Sequence, residues 1–203
     1  MTTKNGAIHL PVAGLPEPVS ARHANGDDEQ ALTLLWRLFR HHMSTWTGEL
    51  PAADGTYRSE WLHQARSEPD WNAWLLTAGQ HPIGLALTRA MNDPVHVLNS
   101  FFLLTPARGR GLGHAFAHTV VAQSPGRWSV AFQDANPAAA RFWPRLAATC
   151  DPAWSLEHRP VPGRPNCPPD TWVTFTVGPY RADDTDNVVH NATHHSNSPQ
   201  GSN

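Results

Sequence analysis

The sequence predicts an α+β or α/β domain built on a single mixed β-sheet. Three observations carry this expectation. A hairpin signal lies near the centre of the chain, a glycine-rich turn joins a strand to a helix, and helical and strand periods alternate on either side. At 203 residues the chain suffices for one domain with a proper core and is too short for two ordinary ones.

Residues 1–18 are rich in Gly and Pro and lack a period, which reads as a loosely attached leader. Val19 to Ala24 alternates weakly as a first strand. Asn25-Gly26-Asp27-Asp28 is a helix start, with acids where the positive end of the dipole favours them. Leu32, Leu35, Trp36, Phe39 and Met43 share one helical face. Ala31, Leu34 and Leu38 widen that stripe, so the helix is expected to be largely buried. Ser44 to Thr56 reads as a polar loop, followed by a short helix near Arg58 to Arg66. Trp74 to Ala78 and Ile83 to Thr88, separated by Gly79-Gln80-His81, form the hairpin. Val95 to Leu104 is a third strand, Leu112 to Ala122 a helix and Trp128 to Phe132 another strand. Asn136 and Pro137 open a further helix as N-cap and first-turn proline. Its buried face is marked by Ala139, Phe142, Trp143 and Leu146, and Pro144 is expected to end or kink it. Two closing strands, Trp154 to Arg159 and Thr171 to Val177, flank a Pro-rich loop. The domain proper thus spans 19–180, and 181–203 reads as a polar, disordered tail.

Composition narrows the function classes. Net charge is −2, so no global attraction to nucleic acid or anionic membrane is expected. Two cysteines, Cys150 and Cys167, do not make a secreted disulfide scaffold. No charged and apolar leader pattern and no long apolar run is present, so a cytoplasmic address and no membrane association are expected.

The most informative segment is Arg108-Gly109-Arg110-Gly111-Leu112-Gly113, placed between the strand ending at Leu104 and the helix starting near Leu112. The first turn of a helix has N–H groups without partners, and its dipole favours an anion there. Glycines let the backbone approach a pyrophosphate closely, and Arg108 and Arg110 can add charge-assisted contacts. The alternative is a glycine-rich turn that binds nothing. The spacing fits neither the P-loop, which requires Gly-Lys-Ser/Thr, nor the dinucleotide-binding fingerprint.

On these residues the chain resembles the GNAT superfamily of N-acyltransferases. The family signature is Arg or Gln, two residues, Gly, one residue, then Gly or Ala, and Arg108, Gly111 and Gly113 complete it here. Asn136, Ala139, Phe142 and Trp143 match a second family feature on the following helix, and Phe101-Phe102-Leu103-Leu104 looks like the strand before the signature. The resemblance runs from Trp74 to Leu146. It implies a mostly antiparallel sheet with two splayed, central, parallel strands, and acetyl-CoA or another acyl-CoA as co-substrate without a metal. The implied reaction acylates a primary amine, with a small molecule expected as acceptor. The pantetheine arm is expected between Val95–Leu104 and Trp128–Phe132, hydrogen-bonded at Leu103 and Leu104, with Phe102 also in the cofactor site. His114 is expected near a ribose or phosphate.

The resemblance leaves the proton chemistry open. Relatives often carry Tyr where Trp143 stands, and an indole N–H is no useful acid, so Trp143 reads as a core residue. Asn99 and Ser100 occupy a strand position where relatives often have Glu, and each can order a water. Glu49 and His96 are the candidate bases. His114 and His118, four apart, lack a third metal ligand, and His41-His42 reads as a solvated helix end. Two other functions remain open. One is a transferase of the same fold taking its acyl group from aminoacyl-tRNA or a carrier protein, with Arg141, Arg145, Arg159 and Arg164 as a local basic patch. The other is a non-catalytic CoA-binding module. A monomer or homodimer is expected.

Overall fold

The computed structural model describes residues 14–161, 163 and 167–179. The expected tail and the first thirteen residues of the leader lie outside the described residues. Seven strands form one sheet: β1 (Val19–His23), β2 (Asn72–Ala78), β3 (His81–Arg89), β4 (Val95–Leu103), β5 (Gly126–Phe132), β6 (Ser155–Arg159) and β7 (Asp170–Val177). Their order is β1-β2-β3-β4-β5-β7-β6. Only β4 and β5 run parallel; every other neighbouring pair is antiparallel. The mixed, mostly antiparallel sheet is the one expected.

Four α-helices cover the two faces: α1 (Glu29–Thr47), α2 (Glu60–Ser67), α3 (Leu112–Ala122) and α4 (Pro137–Cys150). Leu32, Leu35, Trp36 and Phe39 of α1 and Leu62 of α2 pack on Leu75, Leu85, Leu87 and Phe102, closing one face. On the other face Phe116 and Val120 of α3 and Trp143 and Leu146 of α4 pack on Leu98, Leu103, Trp128, Val130 and Phe175. Burial of such side chains away from water drives the assembly, at roughly 1.5–3 kcal/mol for each large one.

Several sequence expectations need correction. Leu34 and Leu38 are 54% and 37% exposed, because the sheet covers α1 from one side only. That helix also continues to Thr47, into the expected loop, and closes with Gly48 in the left-handed conformation donating to the Ser44 carbonyl. Pro144 does not end α4, which runs unbroken from Pro137 to Cys150. The leader is anchored at its end, since Leu15 packs against the α3/α4 core and the Gly79 N–H donates to the Pro18 carbonyl.

Candidate active site: the gap between β4 and β5

The parallel pairing of β4 with β5 stops early. It links Val95–Leu98 to Arg127–Val130 and goes no further. On the opposite edge of β4, Leu98 pairs with Thr88 and Ser100 with Leu87, so Asn99 has no partner on β3 and is the extra residue of a β-bulge. A bulge bends its strand and increases local twist. The bend falls one residue beyond the last β4–β5 pair, and past it the two strands part.

Beyond the bulge, alternate residues of β4 point their backbone groups to opposite edges. Leu104 donates its N–H to the Ile83 carbonyl at 2.9 Å, which places Leu104, Phe102 and Ser100 on the β3 side. Phe101 and Leu103 therefore turn their backbone groups to the gap. The expectation that Leu104 serves a ligand through its N–H is corrected, because that group is already spent within the sheet. The Leu103 carbonyl is also engaged, accepting from Arg108 Nε at 2.8 Å. What remains toward the gap is the N–H of Leu103 and both backbone groups of Phe101, a residue that the sequence does not single out for the site.

The glycine-rich turn sits where β4 ends. A short 3₁₀ turn, Thr105–Ala107, leads into Arg108, and Gly111 forms the N-cap of α3. Gly109 and Gly111 have φ of +73° and +77°, and a Cβ built on either would meet nothing within 4 Å. The turn thus leaves open space above both glycines, next to the N–H groups of the first turn of α3, which have no helical partner. That cradle fits a pyrophosphate. Gly113 differs, since it has no positive φ and an added Cβ would point at α4. That Cβ would stand 3.4 Å from the Phe142 ring, in ordinary van der Waals contact.

Arg108 turns inward. Besides the Leu103 carbonyl it reaches His42 Nε2 at 3.3 Å and lies 5.4 Å from the Phe102 ring centre. Desolvation lowers its pKa from the usual value. It ties α1 to the end of β4, and both Arg108 and Arg110 are exposed residues of the turn. His42 departs from the expected solvated helix end, because it packs against Trp46 and Phe102 at the mouth of the gap. Burial, reinforced by Arg108 and His41, lowers its pKa. The available signal is the stripe of α1 residues directed at Phe102, since His42 follows Phe39 by three positions.

The second motif closes the other wall. The Asn136 side chain accepts from the Ala139 N–H at 3.1 Å and caps α4. Phe142 stacks on Phe101 with centroids 5.7 Å apart, and Trp143 meets the same ring edge-on at 5.3 Å. Trp143 is buried in the core, as expected. Three of the remaining candidates have partners within the fold. Glu49 forms ion pairs with Arg40 and with Arg58, which occupy both its oxygens and fasten the loop after α1. His96 lies near the start of β4, on the far side of the β4–β5 pairing from the gap, with Nδ1 3.2 Å from the Ala90 carbonyl and its ring edge-on to Trp128. His114 Nε2 lies 3.2 Å from Thr149 Oγ1 of α4. Asn99 and Ser100 stand at the parting of the strands, where Asn99 Oδ1 accepts from Arg89 Nε at 3.0 Å. Among the described residues no group of three or more His, Cys, Asp or Glu is placed to hold a metal, and no helix is long and apolar enough to cross a membrane.

Comparison with known proteins agrees with this geometry. A model of the Acetyltransferase (GNAT) family matches residues 35–147, more than half of the chain. No curated protein matches the chain. Among solved structures, an acetyltransferase from Thermus thermophilus superposes with a TM-score of 0.60 at 18% identity, covering 80% of this chain and 99% of its own. A spermidine N-acetyltransferase from Vibrio cholerae, in complex with CoA and spermine, gives 0.55 at 13% identity, over 78% of this chain and 95% of its own. The paia N-acetyltransferase from Thermoplasma acidophilum, in complex with coenzyme A, gives 0.52 at 11%, over 79% and 99%. At such identities the likeness is one of fold. The family match decides membership: this chain belongs to the GNAT acetyltransferase family.

Proposed function

We propose that the protein is an N-acyltransferase that moves the acetyl group of acetyl-CoA to a primary amine of a small molecule. The observation that carries this reading is the succession of three features along the chain: the gap that begins at the Asn99 bulge, the end of β4, and the open glycine turn at the start of α3. In this reading the backbone N–H groups from Gly109 to Gly113 hold the pyrophosphate, with Arg110 beside them and Asn136, Ala139 and Phe142 along the α4 wall. Bound there, acetyl-CoA supplies an activated thioester: the amine nitrogen forms the new C–N bond, the C–S bond breaks, and the amine's proton ends on the CoA thiol.

The N–H groups of Phe101 and Leu103 are the donors facing the gap, fixed before any ligand arrives because β4 is held on its other edge by β3. Donors of this kind are worth roughly 3 kcal/mol where charge develops on a carbonyl oxygen. Asn99 and Ser100, at the parting of the strands, orient the amine or a water. Phe101, Phe142 and Trp143 keep the inner wall free of water. Glu49 and His96 serve the fold in this reading. Calorimetric titration with acetyl-CoA tests the proposal, and saturable binding with subsequent CoA release in the presence of amines is expected. Tight tRNA binding that survives added salt, with no acetyl-CoA affinity, would replace the donor. Acetyl-CoA binding without release of CoA to any amine would leave a binding module.

A further inference from the structure

A groove of about 380 Å³ lies on the sheet face turned away from α3 and α4. Along β5, Trp128, Val130 and Phe132 point into the α3/α4 core, so Arg127 and Ser129 point the other way, into the groove. The floor is built where β4 and β5 are still paired, at Val95 opposite Arg127 and Val97 opposite Ser129. That pairing ends at Leu98, so the floor comes within one or two residues of the gap, roughly 3–7 Å along the strand. The hydrogen bond from Arg89, a wall of the groove, to the bulge residue Asn99 joins the two spaces directly. A donor seated on the α3 turn presents its reactive end to the gap from one side, and the groove leads to the gap from the other.

The charge of the groove is one-sided. Arg89, Arg127 and Arg159 line it against a single lining carboxylate, Asp93. Arg159 is paired with Glu157 and lies 4.6 Å from the Trp172 ring centre. Arg127 makes no ion pair or side-chain hydrogen bond among the described residues. Arg89 uses Nε on Asn99, and desolvation outweighs the pull of Asp70 and Asp93 to lower its pKa. Two guanidiniums are thus held in a concave site without a carboxylate bonded to either. A cationic acceptor would be repelled there, whereas a carboxylate or phosphate matches the planar fork of a guanidinium. The buried hydroxyls of Ser129 and Thr174, bonded to each other at 2.9 Å, and the Trp172 ring complete the floor.

We propose that this groove anchors the acceptor, and that the acceptor is an amine bearing an acidic group, a carboxylate or a phosphate, held by Arg127 and Arg89 while its amino group reaches the gap at Asn99. The proposal rests on the acetyltransferase reading and deepens it by naming the acceptor class. Its test is CoA release from acetyl-CoA with matched amines: phenylalanine against phenethylamine, lysine against cadaverine, and phosphoethanolamine against ethanolamine. The acidic member of at least one pair is expected to show a kcat/KM at least tenfold higher. The first two pairs report a carboxylate and the third a phosphate. In Arg127→Gln that preference is expected to collapse through KM with kcat little changed, while calorimetric affinity for acetyl-CoA stays at the parent value. A second measurement needs no turnover: titration with N-acetylphenylalanine and with N-acetylphenylalanine amide, where tighter binding of the acid, lost in Arg127→Gln, is expected. Preference for the decarboxylated amines or for spermidine, binding of the neutral amide equal to that of the acid, or an Arg127→Gln variant with unchanged preference would each overturn the proposal. Failure of the parent to bind acetyl-CoA would instead strike the acetyltransferase reading.

Discussion

Gly111 and Gly113 stand two residues apart in one motif, yet only Gly111 has a backbone that requires glycine, and exchanging each for alanine separates the two positions. Gly111 has φ +77°, where an L side chain crowds the carbonyl that follows it; alanine there costs roughly 1–2 kcal/mol. For a protein of this length that amounts to a fall in Tm of roughly 2–8 °C. Gly113 has no positive φ, and its added Cβ would touch the Phe142 ring at 3.4 Å, an ordinary van der Waals contact. Alanine also favours a helix over glycine by up to ~1 kcal/mol, so Gly113→Ala is expected to melt at or slightly above the parent. For acetyl-CoA the order holds as well. Gly111→Ala alters the turn that aims the N–H groups and is expected to weaken binding at least tenfold, about 1.4 kcal/mol. Gly113→Ala, whose Cβ points at α4, is expected to bind within a factor of about three, some ~0.65 kcal/mol. Differential scanning calorimetry with isothermal titration reads both. If Gly111→Ala melts and binds like the parent, the turn does not depend on its left-handed residue and is no pyrophosphate cradle. If Gly113→Ala is the variant that loses affinity, its Cβ meets ligand rather than Phe142.

Two further outcomes follow from the charged groups. Glu49→Gln removes the carboxylate beside Arg40, whose side chain is only 5% exposed, and leaves that guanidinium poorly neutralised. A loss of about 3 kcal/mol is expected, and an unchanged Tm by circular dichroism would show that the ion pairs do not fasten the loop. His23, His42 and His114 all have folded pKa values below the usual 6.5, first of all through burial. The unfolded chain therefore takes up protons first as pH falls through about 6.5, and stability declines from there toward the lower folded values. Melting curves between about pH 7.5 and 5.5 are expected to show Tm falling with acid, and a smaller slope in His114→Gln; a Tm that is flat or rises on acidification contradicts the burial of these rings.

The local elements of this protein are written in short stretches of its sequence. The helical spacing of Leu32, Leu35, Trp36 and Phe39 sets the face that α1 buries, Asn136 and Pro137 set where α4 begins, and the glycines from 109 to 113 set a strand-to-helix turn that an anion can approach. Each depends only on residues within a turn or two of one another, so periodicity and capping chemistry reveal them. What tertiary structure alone decides is how distant stretches meet. The bulge at Asn99 is a mismatch between β4 and β3 and exists only as a register. Leu34 and Leu38 are as apolar as their neighbours, and only the one-sided sheet leaves them in water. Leu104 looks equivalent to Leu103 until pairing with Ile83 takes its N–H. Glu49 reads as a free carboxylate until α1 and the following loop bring Arg40 and Arg58 to it. The groove over β4 and β5 draws on β3 through β7, and its three arginines, at 89, 127 and 159, come from distant stretches of the chain. A sheet assembles its surface across strands, not along them, so the charge gathered in that groove has no period to read in the chain.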